Sequence, residues 1–288
     1  MHTLFDTRFG ASLVRLLLGG LVFLSLMGCE DVIQVDLNSA EPRPVIEGFI
    51  TLELEERPPH YGVFVVSRTT DFFVPDSPTL VTDADITISD RYGFTSFSGS
   101  NTGSGVYRFD YNSPVDHGDT VYATVTVDGE DHAAFSVVAE PTRIDSLTYE
   151  YQEGGGIGLD EEEGYRLHVH FTDQPEYDDY LRLKVYRNGR SIGDYHLYEG
   201  KYSDGNEIDY DYFFDTFQPG DAGHVELWSM SEALYDYFLT LSEVVVTEDG
   251  SDFFDITPAN PNTNWSNDAL GYFGVFYVDV QHFRIPED

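Results

Sequence analysis

The stretch at residues 120–128, "TVYATVTVD", decides the fold class of this chain. Its apolar residues alternate with tyrosine and threonine, so an extended strand here has one apolar side and one more polar side. Asp128-Gly129, a pair typical of two-residue hairpin turns, then leads into a second strand-like run, "HAAFSVV". The stretch therefore predicts a β-hairpin with one face in a core.

Similar runs, separated by turn residues, lie upstream of this hairpin. They are "ADITISD", "GFTSFSG" and "GVYRFDY", at the short, regular spacing typical of a β-sandwich. We predict such a domain over residues 45–140.

The remaining residues, 141–288, predict a second β-rich domain. Its clearest signal is Asn188-Gly189, a hairpin turn between "YLRLKVYR" and "RSIGDYHLY". Residues 153–164, "EGGGIGLDEEEG", predict a mobile acidic loop. One helix is expected near residues 231–246, with Ser231 as its cap and an apolar stripe at helical spacing. The stripe is interpreted as core packing, with a ligand platform as the alternative. The predicted fold class is mainly β with one helix.

The N-terminal residues predict an export signal. Arg8 and Arg15 precede an apolar run at residues 16–27, which at twelve residues is too short for a bilayer of ~30 Å but fits a signal peptide. Gly28-Cys29 closes a "LMGC" motif that resembles a bacterial lipobox. We predict a signal peptide at 1–28, cleavage after Gly28, lipid attachment at Cys29 and a tether at 29–44. The alternative is an ordinary signal peptide followed by an incidental cysteine.

The residues after Cys29 bear on where the anchor places the protein. Glu30, Asp31 and Asp36 resemble the acidic signal that sends lipoproteins of some gram-negative bacteria to the outer face of the outer membrane. We expect a lipid-anchored protein facing the cell exterior. An anchor facing the periplasm is the alternative.

The charge excludes one large class of function. Fifty-two acidic residues against 15 basic ones give a net charge of −37, which repels nucleic acid. The acidity spreads along the whole chain, which favours adaptation to molar salt, where the Debye length is roughly 3 Å. A cation-binding role is the alternative.

Several segments together resemble one known family. After the lipobox cysteine come "SAEPRPVIEGFIT", "GDTVYATVTVDG", "GDAGHVELWSMSEALYDYF" and "PANPNTNWSNDALGYFGVFYV", in an order similar to that of the domain-of-unknown-function 4249 (DUF4249) family of bacterial lipoproteins. The resemblance covers nearly the whole mature chain. It implies an outer-membrane lipoprotein with an N-terminal immunoglobulin-like or carboxypeptidase-regulatory-like β domain, often encoded beside a TonB-dependent transporter. It implies no catalytic residue.

Motifs for catalysis are absent from the sequence. It lacks Gly-x-Ser-x-Gly and His-Glu-x-x-His, and we predict neither a catalytic residue nor a cofactor. His168 and His170 would project from the same face of a strand, where two imidazoles could begin a metal site. We favour a solvated strand face instead.

A second candidate region is the segment at residues 202–217, "YSDGNEIDYDYFFDTF". Its acids do not follow the order of an EF-hand loop. Tyr202, Asp209, Tyr210 and Tyr212 are candidates for a partner or glycan surface, because tyrosine is common on recognition surfaces. We favour a salt-adapted loop with its aromatic side chains turned inward.

These observations give three hypotheses for function. The leading one is a non-enzymatic binding or accessory lipoprotein of the envelope, associated with TonB-dependent uptake. The others are a surface hydrolase and an adhesive or structural β module. A deep pocket with a close carboxylate pair, or with a histidine and a carboxylate, would support the hydrolase, and an adhesive module would have no pocket.

Overall fold

The computed structural model describes residues 41–54, 60–70, 79–100, 104–153, 163–203, 205–248 and 261–287. From Glu41 onward these residues belong to one compact unit. The predicted signal peptide, Gly28, Cys29 and nearly all of the tether lie outside the described residues, as does most of the acidic loop predicted at 153–164.

The described residues form fifteen strands and one helix, which confirms the predicted fold class. The strands are β1 Pro44–Glu53, β2 His60–Arg68, β3 Thr79–Leu80, β4 Asp85–Asp90, β5 Thr95–Ser100, β6 Val106–Tyr111, β7 Thr120–Val127, β8 Glu130–Val137, β9 Ile144–Gln152, β10 Gly164–Thr172, β11 Tyr180–Arg187, β12 Arg190–Glu199, β13 Glu207–Phe217, β14 Ala222–Ser229 and β15 Phe273–Arg284. The helix, α1, spans Glu232–Glu248 and begins directly after Ser231.

A central sheet of eight strands organises the molecule. Its order is β12-β11-β14-β15-β1-β2, and both β3 and β6 pair with the outer edge of β2. β1 pairs with β15 in parallel, which joins the two ends of the described chain. The domain boundary at residues 140–141 stays a prediction, and the central sheet takes strands from both sides of it.

Two smaller sheets pack on one face of the central sheet. Alternation along β15 shows this arrangement. Phe273 and Val275 belong to a core shared with the four-stranded sheet β5-β4-β7-β8. Phe283, on the same side of the strand, belongs to a second core shared with the three-stranded sheet β13-β10-β9. Phe276 and Val278 point to the opposite side and pack against α1. The apolar stripe of α1 is therefore core packing where its side chains are described.

Both predicted hairpin turns have the expected backbone. Asp128 and Gly129 have φ values of 53° and 83°, and Asn188 and Gly189 have values of 50° and 80°. Positive φ at both central residues is typical of a type I′ turn, whose twist matches that of the flanking strands. The two turns join β7 to β8 and β11 to β12.

The loop expected at residues 202–217 is largely a strand. β13, Glu207–Phe217, pairs with β10 in antiparallel register. Its alternation explains the difference, because Tyr212 lies in the core while Asp209 and Asp211 occupy the outer face. The many acidic residues made the period-two alternation of β13 hard to recognise in the sequence.

None of the described helical residues forms a segment long and apolar enough to cross a membrane.

Candidate functional site

An open groove of about 510 Å³ lies where the four-stranded sheet meets the β10–β11 loop and the start of α1. Four separate segments line it. They are His117, residues 137–140 at the end of β8, residues 175–180, and residues 230–232 between β14 and α1. The groove therefore depends on tertiary structure that joins distant parts of the chain.

His117 stands on one wall, in the turn before β7. The turn is fixed to the end of β8, since the Gly118 N–H donates to the Val138 carbonyl at 2.9 Å and the Val138 N–H donates to the Asp119 carbonyl at 2.9 Å. His117 Nδ1 lies 3.4 Å from Glu140 Oε2. Its ring meets that of Tyr177 edge to face, with centroids 4.7 Å apart. The groove thus contains a histidine and a carboxylate beside an aromatic ring.

Tyr177 belongs to the groove loop, residues 174–179. Asp179 closes this loop, because its Oδ2 accepts a hydrogen bond from the Gln174 N–H at 2.7 Å. Its Oδ1 accepts from the Thr142 hydroxyl at 2.9 Å, and its carbonyl accepts from the Gly200 N–H at 2.7 Å. Asp179 therefore joins the loop to two other segments of the fold, through its carboxylate and its backbone carbonyl.

Asp173 lies behind Asp179 and is fully buried. The two carboxyl groups, which we call the acid pair, contact each other closely enough to share a hydrogen bond. Burial, followed by this contact with Asp173, raises the pKa of Asp179 to about 7. Gly200 permits the arrangement, since a Cβ at that position would lie 2.4 Å from Asp173 Oδ1.

The pKa of the Tyr180 hydroxyl reflects the negative charge around the groove. Burial, followed by the neighbouring carboxylates of Glu232, Asp178 and Glu199, raises the pKa of its hydroxyl to about 12. The described residues that line the groove include no lysine or arginine. The groove is consequently negative and suits a ligand with a positive charge or with several hydroxyl donors.

His168 and His170 lie elsewhere, on the outer face of the three-stranded sheet. They share one side of β10, as predicted, and β13 brings Asp209 beside them. His168 Nδ1 is 2.9 Å from Asp209 Oδ1, His170 Nδ1 is 3.8 Å from the same atom, and His170 Nε2 is 2.7 Å from the Thr148 hydroxyl. We call His168, His170 and Asp209 the imidazole cluster. Within the described ranges, no three His, Cys, Asp or Glu side chains are arranged to hold a metal ion.

The tyrosine candidates are spread over different environments. Tyr202 is 92% exposed in the turn after β12, Tyr210 is half-buried, and Tyr212 is fully buried with its hydroxyl donating to the Ile192 carbonyl at 2.9 Å. None of the three lines the groove.

None of the residues that line the groove was predicted from the sequence as a functional residue, and Ser231 was expected only as the cap of the helix. His117, Glu140, Tyr177 and the acid pair each lie in a turn or at a strand end, without a motif around them. In a chain with 52 acidic residues, no local pattern distinguishes the two buried aspartates from those on the surface.

Comparison with known proteins gives one match. The model of the family described as "Domain of unknown function (DUF4249)" matches residues 30–282, which is most of the chain. No curated protein matches. With the segments quoted above, this match shows that the chain belongs to the DUF4249 family.

Proposed function

We propose that this protein is a lipid-anchored binding or accessory protein of the outer membrane, facing the cell exterior, that serves uptake through a TonB-dependent transporter. The groove is the observation that carries the proposal. It combines an accessible aromatic ring, a histidine with a nearby carboxylate and a negative lining, which are features of a binding site. The Cys29 motif and the family membership support the location.

The groove also separates this proposal from its alternatives. An adhesive or structural module needs no concave site of this kind. A hydrolase that works with two carboxylates needs both of them within reach of substrate. Asp173 is fully buried, and both oxygens of Asp179 already accept hydrogen bonds from other groups. The acid pair is therefore not placed to act on a substrate. His117 beside Glu140 is a feature that the hydrolase hypothesis also predicts, but the groove that holds these two residues is open rather than deep.

Purification of the native, membrane-anchored protein in mild detergent tests the proposal. We expect a TonB-dependent barrel to co-purify and to be identified by mass spectrometry. Tyr177→Ala removes the ring beside His117 and should reduce the recovered barrel several-fold. The matched control is Tyr202→Ala, which removes a tyrosine that is 92% exposed and lies outside the groove.

Repeated purification without a barrel would contradict the transporter association. Equal losses in both tyrosine variants would instead contradict the role of the groove.

The anchor has a separate test. Cys29→Ser should abolish labelling by a radioactive or clickable fatty acid, because the proposed acceptor thiol is gone. Labelling that persists in the variant would contradict lipid attachment at Cys29.

A further inference from the structure

Asp173 is a buried carboxyl group without a hydrogen-bond donor among the described residues. Its side chain is fully buried, and neither carboxylate oxygen accepts a hydrogen bond from any described donor. Its backbone, by contrast, is held on both sides, with the N–H donating to Asn206 and the carbonyl accepting from Gly205. A charged carboxylate left in this position would be buried without a partner, which is strongly unfavourable.

The neighbouring carboxyl group of Asp179 does not relieve this problem if both groups are ionised. The Thr142 hydroxyl and the Gln174 N–H already donate to its two oxygens, so Asp179 is well prepared to carry a negative charge. Two charges in contact would then repel each other in a site shielded from water. A proton or a cation between the two groups would remove this repulsion.

A proton fits this position better than a metal ion. Ca²⁺ takes roughly six to eight oxygen ligands, whereas the acid pair offers four carboxylate oxygens, two of which already accept hydrogen bonds. No group of three metal-ligating side chains occurs within the described ranges. A proton needs only one donor oxygen and one acceptor oxygen.

We infer that Asp173 and Asp179 form a proton-binding site, an acid–carboxylate pair with one shared proton, and that this proton controls the loop at residues 174–179, which carries Tyr177 into the groove. The link is direct, because the carboxylate that accepts from Gln174 at the start of the loop belongs to the residue that ends it. Release of the proton places a second charge against Asp179 and loosens the loop. The inference concerns control of the groove and stands whether or not a transporter binds there.

The groups that face the acid pair are neutral or negative, which favours a bound proton. From β12, Tyr198 faces both aspartates; its pKa is raised by burial and then by their charges, and its hydroxyl lies 2.6 Å from Ser203 Oγ. From the segment before β9, the neutral hydroxyl of Thr142 donates to Asp179, while Arg143 is exposed. In the loop itself, Glu176 and Asp178 add negative charge on the exposed side. Asp279 of β15 is a separate buried carboxylate that accepts from the Ile144 N–H at 2.7 Å.

The pKa of Asp179, raised to about 7, agrees with this geometry. The described groups that act on it are Asp173, Gln174 and Thr142, none of which is cationic. Burial and the contact with Asp173 are therefore the causes that raise it. Asp179 therefore changes charge near neutral pH.

Infrared difference spectroscopy of the full chain, labelled with ¹³C in the aspartate carboxyl groups, tests the inference without any ligand. At pH 6 we expect the carbonyl band of one protonated aspartic acid, which disappears by about pH 8. Asp173→Asn should remove the band, because its neutral amide can donate to Asp179 in place of the proton. Asp279→Asn, a change at another buried carboxylate, is the matched control and should leave the band in place.

Hydrogen exchange tests the coupling to the loop. In the wild type, the Gln174 amide should lose protection at least several-fold more between pH 6 and pH 8 than the intrinsic rate predicts, and in Asp173→Asn this extra loss should disappear. Absence of the band in the wild type at pH 6 would overturn the shared proton, even if the variant fails to fold. A calcium-dependent rise in melting temperature that Asp173→Asn abolishes would replace the proton with a cation, and would overturn the inference as well.

Discussion

Two groups of ionisable side chains, one on β10 and β13 and the other in the segment after β10, lie in opposite environments. The imidazole cluster occupies the outer face of the strand, where the Asp209 side chain is 56% exposed. The acid pair begins one residue after the strand ends, and neither of its members is more than 3% exposed. Burial, more than residue type, therefore determines which carboxyl groups of this very acidic chain have a shifted pKa.

The largest expected difference between the two groups is in the free energy of unfolding that is lost when a carboxylate is removed. Asp179→Ala leaves the Gln174 N–H and the Thr142 hydroxyl without their acceptor and leaves Asp173 alone in a buried site. We expect the free energy of unfolding to fall by about 3 kcal/mol. Asp209→Ala, its counterpart in the imidazole cluster, should cost less than about 1 kcal/mol. Urea unfolding of both variants measures the difference, and equal losses would remove the contrast.

The next effect is the pH dependence of stability. The folded chain holds the shared proton up to about pH 7, whereas an unfolded aspartate releases it near its ordinary pKa of 3.8. The stabilisation is therefore complete below pH 3.8, and it is lost as the pH rises from about 4 to 7. The loss is at most about 1.4 kcal/mol per pH unit for one proton.

Asp173→Asn isolates this contribution from that of the many other carboxylates. The stability of the variant relative to the wild type should rise between pH 4 and pH 7 and then stay constant. Urea unfolding at several pH values measures it. A constant difference between variant and wild type across this range would contradict the shared proton. Asp110→Asn, a change at an exposed carboxylate of β6, is the matched control that should show no such trend.

A smaller effect is expected where the backbone approaches the acid pair. Gly200→Ala places a methyl group against Asp173 Oδ1 and should cost about 2 kcal/mol, because the buried carboxylate has little room to move. In the Asp173→Ala background the same substitution should cost much less. A double-mutant cycle measures the coupling, and additive losses would show that the strain lies elsewhere.

Local patterns in the sequence predicted much of the fold. The alternation at residues 120–128 and the pairs Asp128-Gly129 and Asn188-Gly189 each act within a few residues, and the structure confirms them. The parallel pairing of β1 with β15 could not be predicted in this way, because it joins residues more than 200 positions apart. Pairing at that distance depends on the packing of the whole chain.

The same limit applied to the site. The spacing of two between His168 and His170 is itself a pattern that predicts a shared face of a strand, and the structure places them together on one face. The acid pair has no such pattern: Asp173 and Asp179 are six residues apart, and only the turn of the groove loop and the approach of Gly200 bring them into a buried contact. Burial of a polar residue is a tertiary property, and in an acidic chain composition conceals it.

Salt should affect the contribution of exposed charges to stability more than that of buried ones. Molar NaCl screens repulsion between surface carboxylates, so we expect a lower melting temperature in dilute buffer than in molar NaCl. The destabilisation by Asp179→Ala should change little with salt, because its cause is a loss of buried hydrogen bonds. A melting temperature that does not depend on salt would contradict adaptation to high salinity.

Zinc should produce the smallest effect. The imidazole cluster offers two histidines and a carboxylate, but both Nδ1 atoms face the same oxygen, and His170 Nε2 already contacts the Thr148 hydroxyl. A zinc ion would have to displace these contacts to gain its ligands, and zinc sites need about four ligands in tetrahedral geometry. We therefore expect no measurable rise in melting temperature with zinc. A rise that His168→Ala abolishes would show that the exposed group, rather than the buried pair, is the one that binds a cation.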